Sequence, residues 1–208
     1  MTNLAHFARL AFGLTSIALA TTGMAQTFGN TSPFSGVSSH SPSNVLGVQV
    51  TIPTTVTLES FGLIYGEVSD PADTNAIFAV YDSNPGNSNL PGNLVAATNS
   101  IFLSSAATYD NIAFTSTPTI GPGTYWMMAL YESFANPRMD SSNSNSLVAY
   151  WGNDYSSGMP AIPPYVATYT GQNFNYWVNT SNAVPEPASM AALGVGALTL
   201  LRRRRASK

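Results

Sequence analysis

Alternating apolar and polar residues in the first third of the chain predict β-strands. Between Leu46 and Ile52 every second residue is aliphatic, and the residues between them are glycine, glutamine and threonine. Because successive side chains of a strand point to opposite faces, this run predicts a half-buried strand. A second alternating run covers residues 56–65, after a break at Pro53. Together the two runs predict a hairpin or meander.

Two further runs, residues 76–81 and 124–132, are apolar on both faces. In the second run, alternate positions form two apolar faces: Tyr125, Met127, Ala129 and Tyr131 on one, and Trp126, Met128 and Leu130 on the other. Strands that are covered on both sides show this pattern. We therefore predict that both runs are central strands of a sheet that is packed on its two faces.

The rest of the body carries short strand patterns and no sustained helical period. The predicted strands are residues 94–97, 101–103, 111–115, 147–151, 165–170 and 174–178. Glycine and proline punctuate them as turns, most densely in residues 82–92 and 121–123. The polar segments 26–44 and 136–146 predict a flexible leader and a long loop. The predicted fold class is all-β, a single-domain β-sandwich or jelly-roll-like body.

The amino-terminal 25 residues predict a secretory signal peptide. Arg9 precedes an apolar core at residues 10–20, and small residues lead to a cut between Ala25 and Gln26. A cut near Ala20 and an uncleaved anchor are the alternatives. The prediction is a chain exported by the Sec machinery, with a body that spans residues 26–183.

The carboxy-terminal residues 184–208 combine three different segments. Val184, Pro185, Glu186 and Pro187 come first, the apolar segment 188–201 follows, and a basic stop over residues 202–208 begins with Arg202, Arg203, Arg204 and Arg205. The apolar segment is shorter than the about 20 residues that span a bilayer core. The arginines hold their end on the cytoplasmic side, which places the body on the other side. Both prolines keep the first segment extended and accessible to a processing enzyme.

These three segments in this order resemble the PEP-CTERM sorting signal of Gram-negative bacteria. The resemblance covers only residues 184–208. It implies transient anchoring in the inner membrane and recognition by an exosortase, a membrane-embedded transpeptidase-like enzyme. It also implies removal of the tail, release or attachment at the cell surface or matrix, and exopolysaccharide as a candidate partner. The alternative is a proline-containing linker followed by an ordinary tail anchor.

Charge and cysteine content exclude several functions for the body. Nine carboxylates and one arginine, Arg138, give residues 26–183 a formal charge of −8. This charge repels phosphate backbones, so nucleic acid is not an expected partner. The chain has no cysteine, which excludes disulfides, thiolate metal sites and a cysteine nucleophile.

Candidate catalytic and metal-binding residues are few. His40 is the one histidine of the body and lies in a Ser/Pro-rich segment, and Glu59, Glu67 and Glu132 are more typical of solvent-facing carboxylates than of a glycosidase pair. The prediction is that the protein is not an enzyme and has no cofactor. Asp82, Asn84 and Asn87 form a weak calcium candidate, for which an Asx-rich turn is the alternative.

Aromatic residues gather in the last quarter of the body. Exposed rings stack on sugars, so Tyr150, Trp151 and Trp177 are candidate glycan contacts, although such rings also fill sandwich cores. The predicted function is that of a structural or biofilm-associated surface protein. A carbohydrate-binding, lectin-like module is the alternative, and an extracellular hydrolase is third.

Overall fold

The computed structural model describes residues 25–66, 73–104, 107–142 and 145–182. These ranges form fifteen strands and two short 3-10 helices, Pro85–Asn87 and Tyr155–Ser157. In chain order the strands are β1 (Gln26–Gly29), β2 (Gly36–Val37), β3 (Asn44–Ile52), β4 (Val56–Tyr65), β5 (Thr74–Asn84), β6 (Leu90–Ala97), β7 (Ile101–Leu103), β8 (Ala107–Ala113), β9 (Thr119–Ile120), β10 (Gly123–Tyr131), β11 (Arg138–Asp140), β12 (Leu147–Gly152), β13 (Ala167–Thr170), β14 (Asn173–Phe174) and β15 (Tyr176–Asn182). Residues 1–24 of the predicted signal peptide, and the tail, lie outside the described residues.

The strands build three antiparallel sheets. A five-stranded sheet has the order β1–β15–β4–β8, with β9 also paired to β4. A seven-stranded sheet has the order β13–β12–β3–β10–β5–β6, with β7 also paired to β5. A small sheet contains β14, β11 and β2. Every predicted strand overlaps an observed one, and the all-β prediction is confirmed.

The two large sheets pack face to face around a common core. Phe61 of β4 stacks on Phe78 of β5 with ring centroids 4.7 Å apart, which joins the five-stranded sheet to the seven-stranded sheet. Tyr131 of β10 and Tyr176 of β15 join them again, with their hydroxyl oxygens 2.8 Å apart. Each large apolar side chain buried here contributes about 1.5–3 kcal/mol. This arrangement of two sheets over one core is that of a sandwich.

A second apolar cluster covers the outer face of the seven-stranded sheet. As the two-faced pattern of β10 predicts, Met127, Ala129 and Tyr131 enter the common core, whereas Trp126, Met128 and Leu130 enter this second cluster. Residues 153–166 lie over the cluster. Tyr81 donates a hydrogen bond to the Pro160 carbonyl at 2.7 Å, and the Leu94 amide donates to the Ala161 carbonyl at 2.9 Å. A segment without regular strands therefore forms a third layer.

The predicted hairpin between β3 and β4 is wrong. β3 pairs with β10 and β12, whereas β4 pairs with β15, β8 and β9. Residues 53–55 carry the chain from one large sheet to the other, and the apolar faces of β3 and β4 form opposite walls of the same core. Alternation reveals which face of a strand is buried, but it does not reveal the neighbouring strand.

The predicted flexible leader is also wrong, because residues 26–44 contain β1 and β2. β1 pairs with β15, and the buried side chain of Asn175 fastens the residues that follow β1. The Phe34 amide donates to Asn175 Oδ1 at 2.8 Å, and Asn175 Nδ2 donates to the carbonyls of Asn30 and Ser32 at 3.1 and 2.6 Å. The predicted loop 136–146 likewise contains β11. Polar composition here reflects side chains that bond to backbone groups.

Candidate functional site

The outer face of the five-stranded sheet carries an open groove of about 410 Å³. Its described lining consists of Thr27, Thr31, Thr108, Asp110, Trp177 and Asn179. β1, β15 and β8 supply all of these residues except Thr31, which follows β1. Since Tyr176 and Val178 of β15 enter the common core, the residues that alternate with them lie on the outer face of the sheet. The groove is therefore lined by the outward-facing side chains of these strands.

Trp177 is held against the backbone of β4. Gly62 is its direct partner across the β15–β4 pair, and a Cβ at this glycine would overlap the indole ring. On the other side, Gly29 of β1 pairs with Trp177 at a φ of +125°, a conformation that favours glycine. The absence of a side chain at Gly62 lets the indole ring lie close to β4, and Trp177 is only 4% exposed. It is a wall of the groove and not a projecting platform.

Asn179 fixes the centre of the groove by bonding to three neighbouring strands. Its Nδ2 donates to the Asp110 carbonyl of β8 at 2.6 Å and to Ser60 Oγ of β4 at 3.1 Å. Thr27 Oγ1 of β1 donates to Asn179 Oδ1 at 2.9 Å. These bonds position hydroxyl, carboxamide and carboxylate groups on a rigid sheet. The arrangement presents both donors and acceptors to a ligand.

A second open cleft, of about 300 Å³, lies at the tip of the β5–β6 hairpin. It contains the calcium candidate Asp82. The Asp82 carboxylate accepts bonds from the Asn93 backbone amide and from Asn93 Nδ2. Asn84 Oδ1 accepts from the Gly86 amide at 3.0 Å and caps the 3-10 helix that contains the exposed Asn87. The side-chain oxygens of Asp82 and Asn84 therefore close the loop, as expected of an Asx-rich turn.

The described ranges contain no group of three or more His, Asp or Glu side chains that could hold a metal ion. The hairpin tip stays a weak calcium candidate, with the Asx-rich turn as its alternative.

The candidate glycan contacts occupy three different environments. Tyr150 is 39% exposed, and its ring centroid lies 5.7 Å from that of Tyr169. Trp151 is 2% exposed and packs edge-on against Tyr81 in the second cluster, and its buried Nε1 has no hydrogen-bond partner among the described residues. Trp177 lies in the groove. Tyr150 therefore exposes its ring, whereas Trp151 and Trp177 are almost completely buried and do not project from the surface. Glycan contact at these three residues stays a prediction.

Three of the titratable groups considered for catalysis, His40, Glu59 and Glu132, do not line the groove. His40 Nε2 donates to the Asn44 carbonyl at 3.2 Å, and its ring meets Tyr131 edge-on. Burial lowers the pKa of His40 below its usual value of 6.5, so the ring is held neutral. Glu59 accepts a bond from Ser181, and Glu132 accepts one from Asn75, each at 2.6 Å. Glu67 lies outside the described residues.

The groove could not be predicted from the amino-acid sequence. Its threonines occupy ordinary polar positions of alternating strands. The strands that supply them lie far apart in the chain, so no local pattern groups them. The one signal in the sequence is Trp177 itself, a large aromatic residue at the polar phase of β15.

The carboxy-terminal segment is identified by comparison with known families. A sequence model of the PEP-CTERM protein-sorting motif matches residues 183–205, which include the Val184–Pro187 and Arg202–Arg205 segments. The match begins directly after β15, which ends at Asn182. No curated protein matches the chain. Within the described ranges, no helix has the length and apolarity needed to cross a membrane. The motif implies export, membrane anchoring through the carboxy-terminal segment, processing by an exosortase and arrival at the cell surface.

Proposed function

We propose that this exosortase-sorted protein is a structural, non-enzymatic component of the extracellular matrix and associates there with exopolysaccharide. The observation that carries the proposal is the sorting motif, which follows the last strand of a packed sandwich without an intervening spacer. The buried and neutral His40 and the hydrogen-bonded, solvent-facing carboxylates Glu59 and Glu132 support a non-enzymatic role.

The proposed route begins with Sec export and removal of the signal peptide after Ala25. The apolar tail then arrests in the inner membrane, and Arg202–Arg205 stay in the cytoplasm because transfer of four charges is costly. The exosortase cuts at or near Val184–Pro187, which leaves the body outside. The body needs no disulfide to survive there, because its stability comes from two apolar clusters.

Replacement of Pro185, Glu186 and Pro187 by alanine tests the route. The expected product keeps its tail and stays in the inner membrane, whereas the wild-type protein is shorter and reaches the surface or medium. Mass spectrometry of both fractions measures the difference and locates both cut sites. Pro163→Ala with Pro164→Ala, in the segment that covers the second cluster, is the matched control and should be processed normally. An unchanged mature mass and location in the triple variant would contradict the proposal.

The matrix role has its own measurement. Matrix from cells that produce only the triple variant should disperse at lower shear than matrix from wild-type cells, while the double proline control restores wild-type cohesion. Equal cohesion in all three strains would remove the structural role and leave the sorting route intact.

A lectin-like module is the second candidate function. The groove beside Trp177 is the observation that favours it, together with the exposed ring of Tyr150. Glycan arrays test the second candidate, since a lectin-like module binds defined short oligosaccharides selectively, whereas the matrix role requires only association with the polymer.

A further inference from the structure

We infer that the groove on the outer face of the five-stranded sheet binds a segment of an uncharged polysaccharide. This inference rests on the proposed matrix function and names both the site and the ligand class. The groove lies on the solvent face of the sheet, outside both apolar clusters, and its volume falls within the about 300–1,000 Å³ that is typical of ligand sites.

The lining suits a polyhydroxylated ligand. Thr31 and Thr108 present hydroxyls that donate and accept. Thr27 donates to Asn179 and keeps its hydroxyl oxygen as an acceptor, and Asp110 presents an exposed carboxylate that accepts from sugar hydroxyls. Trp177 adds an apolar wall for the C–H groups of a pyranose ring. A sugar residue has the same combination of an apolar face and a polar rim. A purely apolar ligand would leave the polar groups of this lining without partners.

Charge decides between the classes of polysaccharide. The body contains two basic side chains, Arg138 and His40, and neither lines the groove. Asp110 adds a negative charge inside it, and residues 26–183 carry a formal charge of −8. Polymers rich in uronate, sulfate or phosphate are therefore repelled over about a Debye length, roughly 8–10 Å at physiological salt. Neutral polymers meet no such barrier.

The groove is preorganised and open. Asn179 is bonded to β1, β4 and β8, so its orientation is fixed before a ligand arrives. Side chains held by a sheet lose little freedom on binding, which favours affinity. Because the groove is open to the surface, it suits an internal segment of a long chain better than an enclosed chain end.

Affinity electrophoresis of the mature protein tests the inference. The gels contain the neutral or the acidic fraction of the host's own polysaccharide, separated by anion exchange. The wild-type protein is expected to be retarded by the neutral fraction alone. Thr108→Arg places a large charged side chain in the groove and should weaken retardation by at least about tenfold, equivalent to about 1.4 kcal/mol. Thr168→Arg, on the exposed edge strand β13 of the other large sheet, has the same charge change and should bind normally.

Each other result overturns a defined step. Retardation by the acidic fraction alone would refute the ligand class, and equal retardation of Thr108→Arg and wild type would refute the site. No retardation of the wild type by either fraction would refute the inference as a whole. Thermal unfolding of both variants shows that the fold is intact. The fraction of wild-type protein retained in native matrix separates these outcomes from failure of the proposed function, because a structural protein stays in the matrix whether or not the groove binds sugar.

Discussion

Gly62 shows how one missing side chain shapes the outer face of the five-stranded sheet. The indole of Trp177 occupies the space above this glycine, and the ring is almost completely buried although it lies on the polar side of β15. A glycine inside a strand usually weakens it. Here the cost is offset by the burial of a large aromatic ring.

Gly62→Ala is expected to destabilise the protein by about 1–3 kcal/mol, the range for overpacking of a well-packed site. The new Cβ would overlap the indole ring, which must then move into the groove. Chemical denaturation monitored by tryptophan fluorescence measures the change. Gly152→Ala, at the end of β12, is the control because a Cβ there meets nothing within 4 Å. Equal stability of both variants would show that Trp177 does not rest on Gly62.

Sequence patterns place some aromatic residues better than others. The two-faced pattern of β10 correctly predicted the second cluster for Trp126, whose Nε1 also donates to the Asn89 carbonyl at 2.9 Å. Trp151 is buried because residues 153–166 fold back over β12. This segment is irregular, so it has no hydrophobic periodicity from which its position could be predicted. Trp177 is buried because its ring lies over Gly62 of the neighbouring strand β4. Its environment depends on pairing partners, which local alternation does not report.

The pairing of β1 with β15 is a strand pairing that the sequence does not predict. β1 has only four residues, and its partner lies about 150 positions further along the chain. The pair is reinforced by side chains, since Thr180 Oγ1 donates to the Gln26 carbonyl at 3.1 Å and Gln26 Nε2 donates to Asn182 Oδ1 at 3.2 Å. Gln26 therefore lies beside Asn182, the last residue before the sorting motif.

Cysteines introduced at Thr27 and Asn179 should form a disulfide on oxidation. The two residues are direct partners on the outer face, and partners in antiparallel pairs have Cα separations compatible with a disulfide. The closed loop would stabilise the protein by up to about 5 kcal/mol in the chain-entropy description. The chain has no cysteine of its own, so the pair is free of competing thiols. Thiol titration and the shift of the thermal transition measure the result.

Thr27→Cys with Val178→Cys is the control for register. Val178 pairs with Phe28 and points into the core, so its thiol lies on the opposite face of the sheet from position 27. This pair should stay reduced. A disulfide in the control, or none in the Thr27–Asn179 pair, would show that β1 is not docked in this register.

The strands themselves were more predictable than their partners. β4 and β7 have the bounds that their apolar patterns predict, because alternation is a local property of the chain. The change of sheet between β3 and β4 and the docking of β1 depend on contacts between distant residues. The groove could not be predicted for the same reason, because β1, β8 and β15 come together only when the sheet is assembled.

At the scale of the whole molecule, the last strand completes the structure. β15 lies inside the five-stranded sheet between β1 and β4, and Tyr176 and Val178 are fully buried in the common core. The hydroxyl pair of Tyr131 and Tyr176 also joins the two large sheets. Burial raises the pKa of both tyrosines above the usual value of 10, so this pair stays uncharged even in mildly alkaline solution. The core is therefore incomplete until residues 176–182 have crossed the membrane, directly ahead of the sorting motif.

A chain of residues 26–182 is expected to fold, and a chain of residues 26–175 is expected not to fold. Loss of a large buried side chain costs about 2–5 kcal/mol, and removal of β15 deletes several of them and also exposes the inner edges of β1 and β4. The sum is comparable to the about 5–15 kcal/mol by which domains are stable, so the shorter chain is left with little or no net stability. Near-ultraviolet circular dichroism during heating compares the two chains. A cooperative transition in the shorter chain would mean that the body folds before its last strand is exported. If the shorter chain shows no cooperative transition, the body completes its fold only after β15 has been exported, directly before the sorting motif reaches the membrane.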